Sequence, residues 1–285
     1  MMQVLVTGSE GFLGQHLVRC LEEHGHHVLR YDIALGGDIL DRAMLSTALE
    51  GMDVCVHLAA VADLYHAEED PEKTHRINID GTRVVLDCCD LLGVRMLYAS
   101  TCCAYGNNGV SINNEESPVA PTEVYALTKL IGEEFVLASP AQHSILRLAT
   151  FYGPQMRSSL ATSIFLEAAK RGEPIHVHGS GEQTRCFTYV GDVVSAIRLI
   201  MDNREVSGII NVSDDRECSV LELAEIAMEV AGRTVPVVHI DDREGQIERS
   251  RIDNSKLRAL GWEPKTTLEE GLLRSLGLTL EVDPA

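Results

Sequence analysis

The stretch Thr7-Gly8-Ser9-Glu10-Gly11-Phe12-Leu13-Gly14 constrains the fold more than any other part of the chain. An apolar run before it, Gln3–Thr7, has the length of a short strand. Residues 11–24 after it place Phe12, Leu13, Leu17, Val18 and Leu21 on one helical face. Glycines spaced GxxGxxG between a strand and a helix let the backbone turn tightly and approach a pyrophosphate. The free N–H groups and positive dipole of the helix start then face that anion. An ordinary strand–helix turn is the competing reading of such a loop.

The residues after the helix decide between the two. A second strand, His27–Tyr31, is ended by Asp32, eighteen residues after Gly14. A carboxylate there accepts hydrogen bonds from an adenosine ribose and repels a 2′-phosphate, so NAD is expected rather than NADP. Arg30 is read as pointing to the opposite face of the strand. Asp38 and Ile39 follow the Gly36-Gly37 turn; they either reach the adenine or form a plain turn and helix start.

Further strands are expected at 52–58 and 95–100, with helical patterns between them, notably at 78–92. Near-continuous apolar strands alternating with helices imply a parallel sheet covered on both faces. Beyond residue 155 come a helix at 163–171, a strand Ile175–His178, the turn Gly179-Ser180-Gly181, a strand at 187–190, a helix at 192–202 and a strand at 209–212. A helix at 219–231 starts with Ser219 and has Glu222 three residues on, a capping-box pattern. The expected fold class is α/β, a Rossmann-type doubly wound parallel sheet with a smaller C-terminal α/β substrate lobe. The expected NAD domain covers 1–155, with 187–215 returning to it; 156–186 and 216–285 form the lobe.

The formal net charge of −19 over 285 residues repels nucleic acid and anionic membrane, and neither is an expected partner. The eight cysteines include no CxxC and read as reduced thiols. The start, MMQVLVTG, runs straight into a strand rather than a signal-peptide pattern, and a cytoplasmic protein is expected. No metal site is expected: His24, His26 and His27 surround Gly25 as at a helix C-terminus, and His176 and His178 alternate along one strand face.

Tyr125 and Lys129 lie four apart, on one face of an expected helix. An ammonium near a phenol stabilises the phenolate, which lets a tyrosine take a proton near neutral pH.

Taken in order, further landmarks make the chain similar to the extended short-chain dehydrogenase/reductase family, the nucleotide-sugar epimerase/dehydratase group. They are His57-Leu58-Ala59-Ala60, Asn78-Ile79-Asp80-Gly81-Thr82, Ser100-Thr101-Cys102-Cys103-Ala104-Tyr105-Gly106, Tyr125 with Lys129, Arg147 with Tyr152-Gly153-Pro154, Arg185 with Asp192, and Leu260-Gly261-Trp262-Glu263-Pro264. The resemblance implies that Thr101 aligns the reacting sugar oxygen, Tyr125 moves its proton, and Lys129 holds the nicotinamide ribose and tunes Tyr125. It implies cofactor contacts at Gly8, Gly11, Phe12, Leu13, Gly14, Asp32, Asp38, Ile39, Leu58, Ala59, Ala60, Asn78, Ser100, Tyr125, Lys129 and Tyr152. Substrate contacts are implied at Thr101, Thr150 and Arg185, with either Arg249 or Arg251 joining Arg185 on a diphosphate. A homodimer through the helices at 78–92 and 126–139 is implied in the same way.

Departures from the pattern sharpen the expectation. Dehydratases of the group carry Asp-Glu where this chain has Cys102 and Cys103, and decarboxylases usually keep the Glu; a thiol does not replace either acid. Thr150 stands where the group usually has Asn. The expected activity is therefore C4 epimerisation of a nucleoside-diphosphate hexose through a 4-keto intermediate. The alternative is a net NAD-dependent oxidoreductase; a non-catalytic NAD-binding regulator fits poorly with Thr101, Tyr125 and Lys129 all present.

Overall fold

A computed structural model describes residues 1–109, 111–242 and 246–278, so the end of the expected 216–285 segment lies partly outside the described residues. In chain order the strands are β1 (Gln3–Thr7), β2 (His27–Tyr31), β3 (Val54–His57), β4 (Arg95–Thr101), β5 (Ser144–Leu148), β6 (Thr150–Tyr152), β7 (Ile175–His178), β8 (Thr184–Tyr189), β9 (Gly208–Val212), β10 (Glu217–Ser219) and β11 (Val237–Ile240). The helices are α1 (Phe12–Glu23), α2 (Arg42–Leu49), α3 (Leu64–Glu69), α4 (Pro71–His75), α5 (Thr82–Leu92), α6 (Val124–Ala138), α7 (Ala161–Arg171), α8 (Val190–Asp202), α9 (Val220–Ala231), α10 (Ser255–Arg258) and α11 (Leu268–Ser275).

Six strands form one parallel sheet in the order β2-β1-β3-β4-β5-β9. The period-two alternation of side chains builds its two cores. On β1, Val4 and Val6 join a cluster with Leu17 and Val18 of α1 and Ile197 of α8, whereas Leu5 joins Leu45 of α2, Val85 of α5 and Val136 of α6. Each such side chain contributes about 1.5–3 kcal/mol by leaving water. The chain turns one way from β1 to β2 and the other way from β1 to β3. Ligands of open α/β sheets bind beyond the strand ends at such a reversal.

A second sheet, β10-β8-β6, and a parallel pair, β11-β7, stand apart from the first. A third core links them, with Phe165, Val177, Phe187, Leu223 and Leu272. The tail returns to the large sheet: Trp262 Nε1 donates to Ser195 Oγ on α8 (2.9 Å), and Thr266 N donates to the buried Asp192 carboxylate (3.0 Å).

Several boundaries differ from expectation. The segment expected as one helix at 78–92 begins with a wider π-type turn, Arg76–Gly81, before α5. There Gly81 packs against Ile39 too closely for a Cβ. The strand expected at 187–190 starts at Thr184, because that half pairs with β10, and it passes directly into α8 at Val190. The Ser219 cap forms, with its side chain accepting from Glu222 N (3.0 Å), and the Glu222 carboxylate also binds Arg216 (2.8 Å).

Candidate active site

The loop between β1 and α1 is shaped by two glycines. Gly8 takes a left-handed backbone (φ 71°) and a Cβ on it would lie 2.7 Å from Ala59 N. A Cβ on Gly14 would run into the carbonyl of Gly8. Gly11 caps α1 without any side-chain hydrogen bond, so the first N–H groups of Phe12, Leu13 and Gly14 face outward from the sheet edge. This bare, close-packed cradle suits a pyrophosphate. Phe12 flanks it, stacked on Phe151 with ring centroids 5.5 Å apart.

Asp32 sits beside the loop. Its carboxylate accepts from Glu10 N (3.0 Å) and from Ala34 N (2.9 Å). Arg30 requires a correction. Residues two apart on a strand share a face, and Arg30 lies 3.6 Å from Glu10, on the side of Asp32. Asp38 caps a turn through Leu40 N (2.9 Å), and Ile39 is buried in the core.

Beneath the loop runs a buried relay. Thr7 Oγ1 accepts from Leu58 N and Ala59 N (both 3.2 Å), which directs its own proton to His57 Nδ1 (2.7 Å). His57 Nε2 then donates to Thr82 (3.1 Å). Burial, and then the charge of Lys129, push His57 down to about 3, so the ring is neutral. The relay fixes Leu58, Ala59 and Ala60 at the strand ends opposite the glycine loop.

Thr101, Tyr125 and Lys129 converge at the adjacent edge. Thr101 ends β4, caps the short turn Cys102–Tyr105 by accepting from Cys103 N (3.1 Å), and lies near enough to the Tyr125 phenol to act on it. Burial, then Cys103, push that phenol well up; Arg157 and the Thr101 hydroxyl draw it down. Lys129 is buried, with Nζ 4.2 Å from the Tyr98 ring centroid, and burial pushes it down to about 7 against the pull of Glu133. Arg157 also acts electrostatically on the phenol.

Asn78 and Ser100 serve this edge from below. Asn78 clamps the loop after β3 to α6, donating to Val61 O and Thr128 Oγ1 (both 3.0 Å). Ser100 donates to the buried Glu133, which pairs with Arg147 (2.7 Å). Tyr152 is fully buried and its hydroxyl donates to the Thr267 carbonyl (3.2 Å).

On the substrate side, Arg185 donates to the Ile247 carbonyl (2.7 Å), and its charge reaches Cys103. Thr150 lies on β6, half-buried, opposite Phe187. Arg249 is not brought to Arg185. It forms a two-pronged pair with Glu217 (2.6 and 2.8 Å) on the other face of β8. Its groove is shared with Glu182, Glu222 and Glu248, a surrounding that repels a diphosphate. Arg251 is exposed and lies in the field of the same Glu217. Cys102 is a packing residue, buried with Tyr105, Ala149 and Ile252. Cys103 is different: it acts electrostatically on the phenol, and burial pushes its thiol up.

Two groups at this edge escaped the sequence. Glu123, two residues before Tyr125, acts electrostatically on both Cys103 and the phenol. Arg157, five residues after Tyr152, pairs with Asp63 (3.6 Å). Their signal was position alone: each lies on a loop at the edge that carries Thr101.

Comparison with known proteins bears on this geometry. The sequence model of the NAD dependent epimerase/dehydratase family matches residues 4–213. UDP-glucuronic acid decarboxylase 1 of Xenopus tropicalis is 29% identical over 300 residues, covering 96% of this chain and 71% of the relative. The structure of UDP-glucose 4-epimerase from Thermotoga maritima, solved with UDP-glucose, superposes with a TM-score of 0.89 at 31% identity, covering 97% of this chain and 98% of that one. The UDP-glucose 4-epimerase of Thermus thermophilus, solved with NAD, gives a TM-score of 0.88 at 28% identity, covering 97% and 98%.

Proposed function

The chain belongs to the NAD-dependent epimerase/dehydratase family, and from that premise we propose that it epimerises a nucleoside-diphosphate sugar at C4. The observation that supports the reading is the placement of Thr101, at the end of β4, and of Tyr125 and Lys129, on α6, at the sheet edge beside the glycine loop. Tyr125 takes the proton of the sugar hydroxyl and Thr101 aligns that oxygen. Lys129, one helical turn on, holds the cofactor's ribose. NAD held by the Gly8–Gly14 loop would supply a reversible hydride acceptor for the sugar carbon. Arg185 contacts the diphosphate; an arginine fork matches phosphate oxygens.

A second reading, decarboxylation or dehydration, draws on Glu123. It brings a carboxylate near Cys103, where the thiols lack one, and decarboxylases are among the relatives. Incubation with NAD and a panel of nucleotide hexoses and uronates separates the two. A C4 epimer without net NADH supports the first; a product that has lost carbon dioxide or water contradicts it.

We also propose a homodimer through α5 and α6. Leu127, Ile131, Phe135 and Ala138 recur at helical spacing along the outer face of α6 without being buried, and Leu91 of α5 is 77% exposed. No helix among the described residues is long and apolar enough to cross a membrane; a cytoplasmic protein fits the free cysteines.

A further inference from the structure

We propose that Tyr98 is a positioning residue for Lys129: its ring face holds the ammonium at the site, and its hydroxyl ties the backbone of the same lysine to the sheet. The inference rests on the reading of Lys129 as the residue that holds the cofactor's ribose.

Three contacts converge on this tyrosine. Lys129 Nζ stands 4.2 Å from the Tyr98 ring centroid. The Tyr98 hydroxyl donates to the Lys129 carbonyl (3.1 Å). A carbonyl oxygen has two lone pairs, so it takes this bond besides the one from the next helical turn. Gly132, on the turn after Lys129, leaves the room: a Cβ there would overlap the Tyr98 hydroxyl. β4 and α6 therefore approach closely at Gly132, and one tyrosine meets both ends of Lys129, its carbonyl and its ammonium.

The ring is itself fixed. Tyr98 is fully buried on β4, three residues before Thr101. The His57 ring lies nearly parallel to it, with centroids 5.8 Å apart and planes 25° from each other. His57 is held in turn by Thr7 (2.7 Å) and Thr82 (3.1 Å). The relay beneath the glycine loop thus ends against the ring that carries Lys129.

The chemistry explains why an aromatic residue stands here. Lys129 is 1% exposed, and burial favours its neutral amine, pushing it down to about 7. A neutral amine stabilises a phenolate less and donates more weakly to a ribose. Two groups oppose that loss of charge. Glu133, one turn later on α6, attracts the ammonium, but it also pairs with Arg147 of β5 and accepts from Ser100. The Tyr98 face presents the negative side of the ring quadrupole, and such a contact strengthens when desolvated. The other titratable groups close by add no charge: His57 on β3 is neutral, and burial pushes the Tyr125 phenol of α6 up. An aliphatic residue at 98 would fill the space and leave the amine to burial and Glu133.

The test changes the electrons of the ring and not its shape. Position 98 is filled with phenylalanine and with its mono-, di- and trifluorinated analogues by amber suppression; each fluorine weakens the ring face toward a cation at nearly constant volume. Competitive labelling with acetic anhydride, on the folded chain without added nucleotide and with Lys129 located by peptide mass, gives the midpoint at which its amine loses its proton. Tyr98→Phe keeps the ring and should keep that midpoint. Along the fluorine series the midpoint should fall stepwise, by about half a pH unit at three fluorines. NAD affinity should then weaken about threefold at pH 8 and hold at pH 5.5, where the amine is charged in every variant. Gly132→Ala, which pushes the ring from its place, should also lower the midpoint. A midpoint that stays or rises along the series overturns the proposal. So does an equal weakening of NAD at both pH values, which a ring that only fills the core would give. A falling midpoint with constant NAD affinity supports the contact and counts against Lys129 as the ribose residue. Should Gly132→Ala not fold, the isosteric series decides. Neither measurement needs a sugar, so an absence of epimerisation counts against the proposed activity and leaves this result standing.

Discussion

Arg147 on β5 and Glu133 on α6 form a buried pair, with contacts of 3.0 and 3.2 Å from Nε and 2.7 Å from the terminal nitrogen. Both side chains are almost wholly inaccessible, and the Glu133 charge also bears on Lys129, one turn earlier on the same helix. The pair joins the tyrosine–lysine helix to the sheet. Its members are held in turn by Ser100 and by the Tyr105 ring, whose centroid is 4.8 Å from the guanidinium.

Removing one member leaves the other charged and unpaired in the interior. Glu133→Gln or Arg147→Met should each cost about 3–5 kcal/mol of stability, read from the urea midpoint. Replacing both with apolar residues of similar volume should recover much of that loss. A cost below about 1 kcal/mol for either single variant would mean that the pair does not hold the helix.

Gly14→Ala tests the cradle. The added methyl group meets the Gly8 carbonyl and the Ser9 backbone, so the loop must move from the position that receives the pyrophosphate. NAD binding should weaken tenfold or more, at least about 1.4 kcal/mol by calorimetric titration. Unaltered affinity would place the cofactor elsewhere.

The His57 relay predicts a pH response. The unfolded chain takes up a proton near the ordinary value of 6.5, while the folded ring stays neutral down to about 3. Between those values the unfolded state binds more protons, so stability is fully present above 6.5 and declines as the pH falls toward 3. His57→Gln lowers stability at neutral pH by losing hydrogen bonds to Thr7 and Thr82, and it should flatten this slope. Chemical denaturation at pH 4.5 and 7.5 checks both effects; an undiminished slope in the variant would assign it to other groups.

The apolar strip on α6 predicts assembly. Ile131→Glu should convert a dimer to a monomer in sedimentation velocity without loss of helical content, since Ile131 faces outward. A wild-type chain that sediments as a monomer at micromolar concentration would remove the dimer from the account.

The sequence made some of this legible and not the rest, for identifiable reasons. β1, β2 and β7 were found to the residue because their patterns are local and bounded by glycine or charge. Ser219 was found as a cap because capping is a three-residue relationship. The first half of β8 was missed because Thr184, Arg185 and Cys186 become a strand through β10, some thirty residues away. Arg249 was misjudged for the same reason: Glu217, its partner, is 32 residues distant and lies on the other face. Tyr152 and Arg157 stand only five residues apart. Only the fold separates the core tyrosine under α11 from the arginine at the site.

The central claim, abstraction and return of one hydride at C4, is tested by UDP-glucose deuterated at C4. The claim predicts the C4 epimer, formed without net reduced NAD and with deuterium still on C4, and no product from a Tyr125→Phe variant that still binds NAD. Stoichiometric deuterated NADH with an oxidised sugar, loss of deuterium to solvent, or full activity in Tyr125→Phe would contradict it.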